Sequence, residues 1–125
     1  MEKMTTYVPL VGRILIAPMF LLAGIGKLGD MAGFMGYMAS GGVPTFLAWP
    51  TVALEVLGGA AILIGFQTRV AAFLLAGFCL LTALLFHLVP ADQMQMTIFL
   101  KNVAVAGGLL MLVAFGPGSL SVDKR

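Results

Sequence analysis

Apolar residues fill four long stretches of the chain, Val8 to Leu28, Phe46 to Phe66, Val70 to Val89 and Thr97 to Phe115, and polar residues and helix breakers gather between them. About 20 mainly apolar residues cross a bilayer as an α-helix, so each stretch predicts one transmembrane span. The junctions carry Gly41, Gly42 and Pro44 before the second stretch, Gly65 near its end, Pro90 after the third, and Gly116, Pro117 and Gly118 after the fourth. Two of the connections are very short, and short connections make neighbouring helices antiparallel. The pattern therefore predicts an all-α membrane protein: one domain over residues 1–125, built as an up-down four-helix bundle with both termini on one side.

The first connection is longer and has a pattern of its own. Asp30 is placed to cap a short helix whose Met31, Phe34, Met35 and Met38 share one face and which Gly41 and Gly42 end. It reads as an interfacial helix on the outer side. The first stretch is too long for the apolar region of a signal peptide, contains Arg13 and lacks a convincing small-residue cleavage site, so it reads as a mature span.

Composition agrees with a lipid environment. Of the 125 residues 61% are hydrophobic and 10% charged, against about 25% charged in soluble domains, and the mean hydropathy is +1.09. The net charge of +2 comes from seven scattered bases, which leaves no basic footprint for nucleic acid. Lys3, Arg13, Arg69, Lys124 and Arg125 lie toward the side of the termini, and Lys27 and Lys101 toward the other. By the positive-inside rule the termini are cytoplasmic. Cys79, the single cysteine, excludes an internal disulfide and reads as a small packing residue.

Ionisable residues inside the apolar stretches carry the chemistry. A charge at the bilayer centre costs about 2.5–3.5 kcal/mol on insertion scales, so each is a candidate functional residue. Glu55 stands near the middle of the second stretch with no charge beside it in sequence, and must find a partner on another helix or stay protonated. Arg13 is the expected partner from one side and Lys101 from the other. Arg13, Ala17, Phe20, Gly24 and Lys27 recur at spacings of four and three, as do Val52, Glu55, Gly59, Ile62 and Phe66, which predicts two inward-facing seams. Small residues, among them Gly58, Gly59, Gly107 and Gly108, allow close approach. His87, on a line with Ala76, Leu80 and Ala83, and Lys101 with Asn102 collect in the outer half, where such residues also serve as interface anchors or interhelical hydrogen bonds. No phosphate-binding glycine motif, zinc signature, second histidine or hydrolase triad is present.

Arg13 to Leu28 (RILIAPMFLLAGIGKL), Glu55 to Gly59 (EVLGG), Gly65 to Arg69 (GFQTR), Phe86 and His87, Phe99 to Asn102 (FLKN), Gly107 to Leu110 (GGLL) and Gly116 to Asp123 (GPGSLSVD) follow one another in an order and spacing that resembles the DoxX family of small bacterial membrane proteins. The resemblance implies a four-helix inner-membrane protein. It places Arg13, Glu55, His87, Lys101 and Asn102 on the family's recurrent polar positions. Among relatives it implies quinone-linked oxidation of sulfur compounds, oxidative-stress complexes, aromatic or quinone metabolism or, more distantly, assembly.

The leading expectation is a membrane subunit of an oxidoreductase complex rather than a self-contained enzyme. It would bind a quinone-like or small aromatic molecule in the bundle and hold no electron carrier of its own, so that a soluble or membrane partner supplies the electrons. Glu55, His87 and Lys101 are the candidate catalytic groups, with Glu55 exchanging a proton and the other two donating to a carbonyl oxygen; Arg13 and Asn102 are the candidate binding groups. Two other classes stay open. A small-solute transporter, coupled to protons through Glu55, would need a homo-oligomer to line a pathway; an assembly scaffold would use the ionic groups to fix helix register.

Overall fold

A computed structural model describes residues 2–124, and every regular element among them is helical. Helix α1 spans Glu2–Leu28 and carries Pro9 and Pro18 within it. Its buried residues are Arg13, Ala17, Phe20 and Gly24, the expected four-three seam. Helix α2, Met31–Ser40, begins where Asp30 Oδ1 accepts a hydrogen bond from the Gly33 amide at 3.0 Å, satisfying one of the donors that a helix start leaves unpaired. A 3₁₀ turn, Thr45–Leu47, leads directly into α3, Ala48–Ile64. Gly65 ends α3 in the left-handed conformation (φ 75°) that glycine adopts without strain.

Helix α4, Thr68–Thr82, runs straight into a π-helical turn, Ala83–His87. Helix α5, Gln93–Phe115, starts on Asp92, whose Oδ1 accepts from the amides of Met94 (3.0 Å) and Gln95 (3.3 Å). The helices pack in the order α1, α3, α4, α5, with α2 lying against α3 and α1. Ala17, Phe20, Ile62, Leu75, Ala76 and Leu109 belong to one core among the four long helices.

Among the described residues four helical stretches are long and apolar enough to cross a membrane: Glu2–Leu28, Thr45–Ile64, Thr68–His87 and Gln93–Phe115. Their outward faces carry large exposed apolar side chains, Leu15, Leu22, Leu57, Phe73 and Phe115 among them. In water, a surface so apolar would drive association; in a bilayer it is solvated by lipid. The chain is an all-α membrane protein.

Glycines set how closely the long helices approach. A Cβ on Gly24 would stand 2.6 Å from Val56 Cγ2 and 3.1 Å from Glu55 Cβ, and one on Gly59 would meet Leu21 and Phe20 at 3.1–3.2 Å. These two contacts fix an antiparallel register, with Gly24 opposite Glu55 and Gly59 opposite Phe20. Gly58 gives the same closeness to Leu75 on α4. Gly107 departs from expectation: nothing lies within 4 Å of where its Cβ would be, and it is exposed. Phe66 likewise leaves its predicted seam, because α3 has ended at Gly65 and the side chain turns outward.

Candidate functional site

The α1–α3 register decides which base meets Glu55. Lys27 sits one turn beyond Gly24, and helical side chains lean back toward the helix start. Its Nζ comes 2.8 Å from Glu55 Oε1. Glu55 is 3% exposed, so the pair is screened from solvent on the carboxylate side. Lys27 Nζ also stands 5.2 Å from the centre of the Phe34 ring on α2, a cation–π contact that ties α2 to the pair.

Arg13 is not the partner of Glu55. It lies 11 residues before Gly24, about 16 Å along the helix, and faces the last turn of α3. There Nη1 donates to the carbonyls of Ile62 (3.1 Å) and Leu63 (2.8 Å), Nε to that of Pro117 (3.1 Å), and Nη2 to that of Leu120. The guanidinium thus answers the unpaired carbonyls at a helix C-terminus, where a cation is favoured, and binds the C-terminal tail in the same stroke. The tail is held further by Asp123, whose carboxylate accepts from the amides of Gln67 and Thr68 at 2.9 Å and from Thr68 Oγ1 at 2.8 Å. Arg13 and its tail form a closure at the terminal end of the bundle. Neither residue is among those lining the main cavity.

That cavity, about 310 Å³, occupies the other half of the bundle. Lys27, Glu55, His87, Lys101 and Asn102 all line it, together with Phe20, Phe34, Tyr37, Phe78 and Phe86. Of the five polar positions singled out from sequence, four therefore meet in one space and Arg13 stands apart. Lys101 reaches the cavity but does not pair with Glu55, the place being taken by Lys27.

Each wall of the cavity has a local cause. Helix α2 contributes Phe34, Tyr37 and Met38, so the face that Met31, Phe34, Met35 and Met38 share includes a buried Met38 turned to the bundle. Tyr37 stacks on Phe86 with ring centres 4.9 Å apart and planes 25° from parallel. Gly41 makes room for that ring, since a Cβ there would come within 2.5 Å of Phe86 Cε1. Phe86 and His87 follow Cys79 and Ala83 on the buried face of this helix and reach the cavity from the π-helical turn, whereas Leu80 is exposed. His87 Nδ1 is 2.7 Å from Gln95 Oε1 on α5. Asn102 is buried, and its Nδ2 donates to Thr82 Oγ1 at 3.2 Å, joining α5 to α4.

Sequence reasoning missed Lys27, Phe34, Tyr37 and Phe86 as parts of this site. Lys27 was on the correct seam, but an antiparallel register is not visible from either helix alone. The aromatics of α2 carried no signal beyond amphipathicity. Chemically, the cavity offers flat apolar walls for a ring, a carboxylate–ammonium pair deep on one side, and an imidazole, an amide and a second ammonium on the other.

The sequence profile of DoxX matches residues 8–88. Inner membrane protein YqjF of Escherichia coli (strain K12) is 44% identical over 99% of this chain and 95% of its own length. Inner membrane protein YphA of the same strain is 36% identical over 93% of this chain and 88% of its own. CatD of Bacillus subtilis (strain 168), which bears an oxidoreductase name, is 31% identical over 51% of this chain and 48% of its own. No solved structure matches significantly. A match across three of the four spans, and full-length likeness to two relatives of the same size, make the assignment plain: the chain belongs to the DoxX family.

Proposed function

We propose that this protein is an inner-membrane subunit that binds a quinone-like or small aromatic ring in the cavity between α1, α2, α3, α4 and α5 and supports redox chemistry carried out by a partner. The observation that carries the reading is the cavity itself: about 310 Å³, walled by Phe34, Tyr37, Phe78 and Phe86 and holding the buried Lys27–Glu55 pair. Ligand sites are concave, mostly apolar and fitted with a few placed polar groups. The volume suits one or two rings, and the polar groups suit ring oxygens. Two full-length relatives are named as inner membrane proteins and a more distant one carries an oxidoreductase name, in keeping with this placement.

Binding is favoured over conduction. Below the cavity, toward the terminal end, Ala17, Ile62, Ala72, Leu75 and Leu109 close together in a fully buried core, so the space ends blindly within one copy of the chain. In this reading the termini are cytoplasmic, the cavity lies in the outer half, and α2 rests at the outer interface as its lid.

Native mass spectrometry of the full chain, gently purified in detergent, tests the proposal. A copurified quinone or aromatic molecule, lost in Glu55→Gln while the protein remains in the membrane, is the expected result. A chain free of such ligands, bound only to other subunits, would overturn it in favour of a scaffold.

A further inference from the structure

The hydrogen bond between His87 and Gln95 fixes what the imidazole can offer a ligand. Gln95 Oε1 is an acceptor and has no hydrogen to give. With Oε1 facing it at 2.7 Å, His87 Nδ1 is assigned the ring proton, the tautomer that completes the bond. In the neutral imidazole this leaves Nε2 with a lone pair, so the histidine accepts rather than donates there. Gln95 is not a lining residue of the cavity while His87 is, so Nε2 is the nitrogen left to the ligand. Its complement is an O–H group, not a carbonyl oxygen.

Charge points the same way. The cavity holds two ammonium groups and one carboxylate. Glu55 is matched by Lys27 at 2.8 Å. Lys101, an exposed residue at the cavity's edge, has no carboxylate partner among the described residues and lines the space beside Asn102, His87 and the aromatic walls. A cation so placed favours a ligand that carries, or can develop, negative charge.

We propose that the cavity takes its ring in the hydroxylated form, as a phenol or hydroquinone, and holds it as the phenolate, with His87 Nε2 receiving the proton and Lys101 balancing the negative oxygen. The inference rests on the ring-binding reading above and narrows it. In the step the ligand O–H bond breaks and its electron pair stays on oxygen. The proton forms a new N–H bond at Nε2, and the imidazolium keeps its Nδ1–H bond to Gln95. No oxidant or reductant is required. The other ionisable groups facing the space are Lys27 from α1, Tyr37 from α2, Glu55 from α3 and Cys79 from α4. Lys27 and Glu55 offset one another.

The test uses the purified full chain in a maltoside detergent, without anionic lipid, and 4-nitrophenol as the probe, because its phenolate absorbs at longer wavelength than the phenol. At a pH one unit below the probe's solution pKa, the bound probe shows the phenolate band. 4-Nitroanisole, which has the same ring without the O–H, binds more weakly by about tenfold or more. His87→Gln binds 4-nitrophenol in its neutral form, and Lys101→Gln lowers affinity for the phenolate while sparing the anisole. Wild-type protein that binds both probes equally, or binds 4-nitrophenol as the neutral phenol, overturns this inference and leaves the ring-binding reading standing. Wild-type protein that binds neither probe overturns both.

Discussion

Lys27 and Glu55, on antiparallel helices and 28 residues apart in sequence, meet at 2.8 Å because Gly24 lets α1 approach α3 at the level of the carboxylate. The pair is the only salt bridge among the described residues. Removing one member strands the other in a largely dry space, whereas removing both does not. Lys27→Met is therefore expected to cost about 3 kcal/mol. Lys27→Met combined with Glu55→Met should cost less than the two single changes added together, the mark of a coupled pair. Unfolding of the purified protein in detergent measures all three; strict additivity would show that the contact contributes nothing.

Gly24 tests the same relationship through geometry. Leucine there would drive a Cβ to 2.6 Å from Val56 Cγ2 and 3.1 Å from Glu55 Cβ, forcing the helices apart, and overpacking of this kind costs about 1–3 kcal/mol. Gly107→Leu, on an exposed face with nothing within 4 Å, should leave stability close to that of the parent. Equal effects of the two substitutions would contradict the register.

Arg13 makes a separate prediction at the other end of the bundle. Its fork reaches the carbonyls of Ile62, Leu63, Pro117 and Leu120 together, a geometry that a single ammonium cannot reproduce. Arg13→Lys should thus release the tail nearly as fully as Arg13→Ala, at a cost of about 3 kcal/mol from lost charge-assisted hydrogen bonds. Limited proteolysis of the C-terminal tail reads the release. Ligand binding in the distant cavity should change little, and a large loss of binding with an intact tail would place Arg13 in the site after all.

What the sequence disclosed and what it withheld divide along physical lines. Span positions follow from the length of apolar runs and from Gly65, Pro90 and Gly116, since in lipid every backbone group must be satisfied within a helix and breakers fall at the ends. The buried face of α1, Arg13 through Gly24, follows from helical periodicity alone. The Lys27–Glu55 pairing depends instead on register across a 16-residue connection between Leu28 and Thr45, and no local pattern specifies that. The tail is a second blind spot: Asp123 and the carbonyls of Pro117 and Leu120 act through backbone geometry. Leu80 is a third: the spacing puts it on a line with Ala76, Ala83 and His87, yet it is exposed and Cys79 is buried beside it.

Helix α2 supplies the last prediction. It is held over the cavity by the Lys27–Phe34 contact and by the Tyr37–Phe86 stack, and Gly41 leaves the space in which the Phe86 ring sits. Alanine at Gly41 would place a Cβ 2.5 Å from Phe86 Cε1, so the ring must move, and the stack, worth about 0.5–1.5 kcal/mol, is lost with it. Four spanning helices would remain, since Gly41 lies outside all of them. The expected outcome is a protein of nearly unchanged thermal stability whose cavity retains much less ligand. Phe86→Ala should do the same by removing the wall outright, and Phe86→Leu should restore part of the occupancy by returning apolar bulk. Native mass spectra and unfolding curves recorded on the same preparations decide the matter: ligand retention that tracks stability alone, rather than the state of the Phe86 wall, would show that α2 is a connection and not a lid.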